Sequence, residues 1–160
     1  MTPESAQYSM RGHHVPAFNS EQIAEISSKV CEFVGIGKRT FAPGRAEKLV
    51  SKLETYGIYV DPIADDEWID ATRATVDPQT LMIYMPERLY LSLCKGNAEA
   101  VRIFLHELGH IFLCHKPRFH FSESNSVMEN DSEWQADFFA DAIIALLGLN
   151  KHDQQLELKL

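Results

Sequence analysis

Apolar positions recur at helical spacing along four long stretches of the chain and cluster between turn signals along a fifth. From Asn19, the residues Ile23, Ile26, Val30, Phe33 and Val34 form one stripe. Asn19 and Gln22 stand at capping-box spacing, and Gly35 and Gly37 punctuate the end, which predicts a first helix. A second helix is expected from near Pro43, with Ala46, Leu49, Val50, Leu53 and Tyr56 on one face and a stop at Gly57. The pattern then changes. "IYVDPI" reads as a short strand ended by Pro62, and "ATRATV" and "LMIYMP" as two more joined by an Asp-Pro turn, giving a small, mainly antiparallel sheet. Pro86 closes the last strand and "ERLYLSLCKG" reads as a short helix or turn. Asn97 is positioned to cap a long helix running to His115, with Pro117 just beyond. Residues 116–130 read as a loop, and a final helix begins at Asp131 or Ser132 and ends at Gly148.

These elements define an α+β chain, mostly helical, organised as one domain over residues 19–148. A flexible N-terminal tail is expected over 1–18 and a C-terminal tail over 149–160. A length of 160 residues suffices for one sizeable core. The net charge of -8, without any dense Lys/Arg stripe, argues against a nucleic-acid-binding surface. Neither a signal peptide nor a membrane span is legible, so the cytoplasm is the expected location. Three scattered cysteines, Cys31, Cys94 and Cys114, are too few for a disulfide framework and read as reduced, buried thiols.

The predicted helix around residue 106 carries the chemistry. Val101, Ile103, Phe104, Leu105, Leu108, Ile111, Phe112 and Leu113 make it apolar, yet His106-Glu107-Leu108-Gly109-His110 sits at its centre. Burying such groups without partners is costly. The spacing offers a partner: residues four apart lie on one helix face, so both imidazoles can reach a single metal ion at about 2.0–2.1 Å. Glu107 points to the side, where it can act as a base on the water that the metal activates. The competing reading is a pair of hydrogen-bonded core histidines.

A catalytic zinc site usually takes a third protein ligand. The extension HExxHxxGxxH fails, because Leu113 stands in the place of Gly and Lys116 in the place of the third His. A carboxylate from the final helix can serve instead. Glu133 and Asp137 share a face, and Ala136 and Ala140 are small enough to let that helix approach closely. Glu133 is therefore the expected third metal ligand, with Asp141 and Glu129 as other carboxylates in reach and a solvated first-turn acid as the plainer reading of Glu133. Asp137 would orient the outer ring nitrogen of a ligand, His106 being the expected one. Candidates for an oxyanion donor are Tyr84, Tyr90, His115, Arg118 and His120, with none favoured.

His106-Glu107-Leu108-Gly109-His110 followed by Glu133-Trp134-Gln135-Ala136-Asp137-Phe138-Phe139-Ala140 resembles the ImmA/IrrE family of gluzincin-type metallopeptidases. The likeness spans roughly residues 40–148. It implies a compact zincin-like domain with a three-stranded sheet beside the metal helix. It also implies an intracellular zinc peptidase, encoded in prophages or mobile elements, that cleaves helix-turn-helix repressors and so relieves repression. One zinc per chain is expected, although the ligand types also admit manganese or iron. The expected partner is a protein substrate, a DNA-binding repressor, held as an added strand on a sheet edge with "LMIYM" as the candidate strand. Neither direct nucleic-acid binding nor membrane association is expected. The alternative is a catalytically inactive metal-binding regulator that docks a repressor or other protein.

Overall fold

Five α helices and three short strands make up the described residues, 8–68, 72–116 and 127–149, of the computed structural model. In chain order they are α1 (Ser20–Val34), α2 (Ala46–Glu54), β1 (Tyr59–Ile63), β2 (Thr75–Asp77), β3 (Met82–Pro86), α3 (Glu87–Cys94), α4 (Ala98–Phe112) and α5 (Ser132–Leu146). The chain is thus α+β, as the patterning predicts. None of these helices is long and apolar enough to cross a membrane.

Local chemistry sets most boundaries. At the start of α1, Asn19 Oδ1 accepts from the Gln22 backbone N–H (2.8 Å) and Gln22 Oε1 accepts from Asn19 N–H (2.9 Å), so two orphan donors are satisfied. Gly35, at φ 81°, takes the left-handed conformation that ends the helix. Ile23, Val30 and Val34 are buried as the stripe predicts. Phe33 is 65% exposed and instead packs on Tyr56, ring centroids 4.9 Å apart, so this pair forms an outer cluster rather than core. Pro43 lies in a turn and not in a helix. Gly44 at φ 80° interrupts the chain there, and α2 starts only at Ala46.

The sheet has the order β1-β3-β2 and is mixed. β1 runs parallel to β3 with Val60 opposite Ile83, while β2 runs antiparallel to it with Val76 opposite the same residue. The expectation of a mainly antiparallel sheet is therefore corrected. Only β2 and β3 are joined by a tight turn, which forces them antiparallel; its Leu81 sits at φ 57° and donates to Asp77 O. The longer connection after β1 carries the chain across to β2 at the far edge, and the turn brings it back as β3, between the two and parallel to β1. Pro62 does not end β1 but lies within it, opposite Met85, which is tolerated because β1 is an edge strand. Ile83 and Met85 of the central strand are fully buried against Phe104, Leu105 and Leu108 of the core.

Asn97 caps α4, its side chain accepting from Ala100 N–H at 3.1 Å. The helix ends at Phe112, short of the expected His115, because Cys114 turns left-handed at φ 57°. α4 and α5 lie in close contact. A Cβ on Gly109 would stand 3.2 Å from the Ala136 Cα and 3.0 Å from the Phe139 ring, so glycine is what this approach requires. The cysteines form no disulfide, and none is buried as expected: Cys31 and Cys94 are half-buried and Cys114 is exposed.

The expected loose tail does not describe residues 8–18. Asp131, fully buried, accepts from Tyr8 Oη (2.8 Å), Arg11 N–H (2.8 Å), Gly12 N–H (3.0 Å) and Glu133 N–H (2.9 Å). Ser132 Oγ accepts from His13 N–H, and Val15 N–H donates to Asn130 O. The N-terminal segment is thereby strapped across the start of α5. Burial raises the Asp131 carboxyl, but these donors outweigh it and hold the group below its ordinary value. Residues 1–7, 117–126 and most of the expected C-terminal tail, 150–160, lie outside the described residues.

Replacing Asp131 by Ala removes the α5 cap and strands three further donors. It is expected to cost about 3 kcal/mol of folding stability, read from urea unfolding of the two proteins. A loss below about 1 kcal/mol, the value of a cap alone, would mean that the strap is not held through this residue.

Candidate metal centre

His106 and His110 project from one face of α4, and Glu133 enters from the first turn of α5, which Asp131 caps. Glu133 Oε2 lies 2.7 Å from His106 Nε2 and 3.2 Å from His110 Nε2, and the two ring nitrogens are 3.1 Å apart. The three side chains are half-buried, and together they are placed to hold a metal ion. Sequence spacing alone brings the two histidines together. The close approach of α5 along Gly109 and Ala136 adds the carboxylate.

Around this cluster the outer atoms are also engaged. His106 Nδ1 donates to Asp137 Oδ1 at 2.7 Å, the partner expected from the i,i+4 relation to Glu133. Asp137 in turn takes Arg11 Nη1 at 3.0 Å and faces Arg102. Asp141 pairs with Arg102 (2.9 and 3.2 Å), and among the described residues neither its carboxylate nor that of Glu129 belongs to the cluster. On the far side, His110 Nδ1 stands 2.9 Å from His115 Nδ1, and His115 Nε2 stands 2.6 Å from Gln135 Oε1.

The electrostatics favour a cation at the centre. Burial lowers the proton affinity of His106, but Asp137 and Glu133 outweigh it and push its pKa up to about 9. The His106 and His110 contacts hold the Glu133 carboxyl far below the usual carboxylate range, against the effect of burial. Negative potential strong enough to retain a proton at Nε2 is also what a divalent cation would exploit. The donor set of two imidazole nitrogens and one carboxylate oxygen, with a hydrogen-bond contact at the outer nitrogen of each ring, suits a divalent metal ion. The residues therefore fit such an ion.

Glu107 is buried beside the cluster without joining it. Burial raises its carboxyl pKa, while His110 and His106 pull the other way. It lines two cavities of about 180 and 250 Å³ that share Thr72, Ala74, Glu107 and Glu133, and so make one cleft running past the ligands. On one side the wall is largely apolar, with Val76, Pro78 and Ile111; on the other it carries Arg73, Arg102 and Asp137.

Several of these residues escape a reading of the sequence. Thr72 and Arg73 precede β2 and reach the cleft only because of the strand order. His13 lines it only because the N-terminal segment is strapped down. His13 and His14 carry no signal beyond their adjacency. Among the oxyanion candidates, His115 has both ring nitrogens occupied, and neither Tyr84 nor Tyr90 lines the cleft. Arg118 and His120 lie outside the described residues. No family model, curated protein or solved structure matches the chain.

Proposed function

We propose that the chain is a zinc-dependent metallopeptidase of ImmA/IrrE type that hydrolyses a peptide bond in a protein substrate. The observation that supports it is the convergence of His106, His110 and Glu133 within 4.8 Å, with the buried carboxylate of Glu107 on the same cleft. A metal ion bound to those three residues supplies Lewis acidity and makes water nucleophilic at neutral pH. Glu107 takes the proton of the attacking water and delivers it to the leaving amine. Its burial strengthens it as a base. Asp137 fixes His106 by holding the Nδ1 proton, which leaves Nε2 directed at the centre.

An extended substrate segment fits the outer edge of β2, whose partner among the described residues is β3 alone. "LMIYM" cannot serve as that edge, because β3 is paired on both sides. The resemblance of the ligand motifs points to a helix-turn-helix repressor as the substrate and to an intracellular setting. Elemental analysis of the purified, tag-free protein tests the centre: about one zinc per chain is expected, from one complete ligand set. Absence of any bound metal, even after reloading with zinc, would overturn the reading.

A further inference from the structure

The turn that follows α4 is not used by the mechanism above, yet it is held in an unfavourable conformation. Cys114, a non-glycine residue, sits at φ 57°, and His115 N–H donates back to His110 O at 2.9 Å. The turn folds His115 under His110 and buries it to 6% exposure. Its Nδ1 meets His110 Nδ1 at 2.9 Å and its Nε2 meets Gln135 Oε1 at 2.6 Å. Two facing ring nitrogens share one proton, and the distance between them does not say which ring owns it.

Gln135 decides the matter. Its amide nitrogen is 2.9 Å from Pro16 O and 2.7 Å from Glu129 O. Both carbonyls only accept, so the amide nitrogen must face them and the amide oxygen must face His115. That oxygen also only accepts, so His115 donates from Nε2. A neutral His115 then presents a lone pair at Nδ1 and accepts from His110 Nδ1–H. His110 is left with a bare Nε2 directed at His106 and Glu133. The opposite arrangement would put a proton on His110 Nε2, pointed at the place where a metal must bind.

We infer that His115 is a positioning residue for the metal centre: Gln135, itself oriented by the Pro16 and Glu129 carbonyls, sets the tautomer of His115, and His115 sets that of His110. The inference rests on the metal-centre reading and extends it to two residues that hold no ligand position. It also makes the N-terminal segment part of the site, since Pro16 belongs to the strap. His106 and His110 are then oriented by different chemistries, a charged carboxylate for one and a neutral imidazole for the other.

Long-range proton–nitrogen correlation spectra of the ¹⁵N-labelled full chain, loaded with zinc, read the tautomers directly. The expected result is protonated Nε2 and bare Nδ1 on His115, with protonated Nδ1 on His110. A proton on His115 Nδ1 would overturn the inference. In parallel, zinc affinity is measured by chelator competition for His115→Phe, which keeps the ring volume without an acceptor, and for His115→Asn, which returns one. His115→Phe is expected to weaken zinc binding about 10–100-fold, and His115→Asn to recover most of that loss at an unchanged metal-free melting temperature. Wild-type affinity in His115→Phe would overturn the relay while leaving the metal centre standing. A wild-type chain that takes up no zinc would overturn both. Should His115→Phe fail to fold, the tautomers of the wild-type chain still decide.

Discussion

Glu107→Gln should keep its zinc and lose peptide hydrolysis by roughly 10²–10⁴-fold, the range associated with removing a general base. The substitution is nearly isosteric, so packing at this buried position is preserved, and only the ability to take a proton disappears. Folding stability should not fall, because the carboxylate is disfavoured there by burial and the amide carries no charge to desolvate. Zinc content and cleavage of a repressor substrate, measured on the same preparation, separate the alternatives. Retained cleavage would assign the base elsewhere. Loss of zinc would make Glu107 a ligand and recast the centre.

Glu133→Ala should weaken zinc binding at least about tenfold, since one of three protein ligands is removed. The structure adds a reason for the effect to be large. Among the described residues, Glu133 Oε2 is the one anionic atom that contacts both imidazole Nε2 atoms, so its removal takes away charge as well as a donor. Asp137 cannot replace it, being committed to His106 Nδ1 and to Arg11. Asp141 cannot either, because it is paired with Arg102. Competition with a chelator of known affinity gives the comparison. An unchanged zinc affinity would move the third ligand to another residue.

What the sequence discloses of this molecule is what short-range rules govern. The Asn19–Gln22 box and the Asn97 cap are local, and both form as their spacing predicts. The His106–His110 pair is equally local, because it needs only one helical turn. The proximity of Glu133 is a tertiary fact, but Ala136 and Ala140 on the same face of α5 announce it, and Ala136 meets Gly109 of α4 where the two helices touch. Strand direction is different. Nothing in "IYVDPI" says on which side of β3 it will pair, since that depends on the path of the connection between them. The N-terminal strap was illegible for a similar reason. Its stretch has no apolar period of its own, and it is ordered by donors that converge on a single distant carboxylate, Asp131. Gln135 reads as an unremarkable polar residue on an apolar helix until the carbonyls it bridges are known.

That strap has a consequence for biosynthesis. Tyr8, Arg11 and Gly12 reach Asp131 across 119 to 123 residues of sequence, and Glu133 reaches His110 across 23. Contacts of such long range form late, because the entropy of closing the intervening chain must be met before they reward it. The α4 histidines therefore emerge from the ribosome and enter their helix well before the third ligand exists to join them. With the proposed activity, a chain assembled in this order would stay inert while its own segments are still exposed, because His106, His110 and Glu133 come together only once α5 has docked. Metal uptake during synthesis would then report completed folding, and a chain arrested before α5 would hold the HExxH helix without the site.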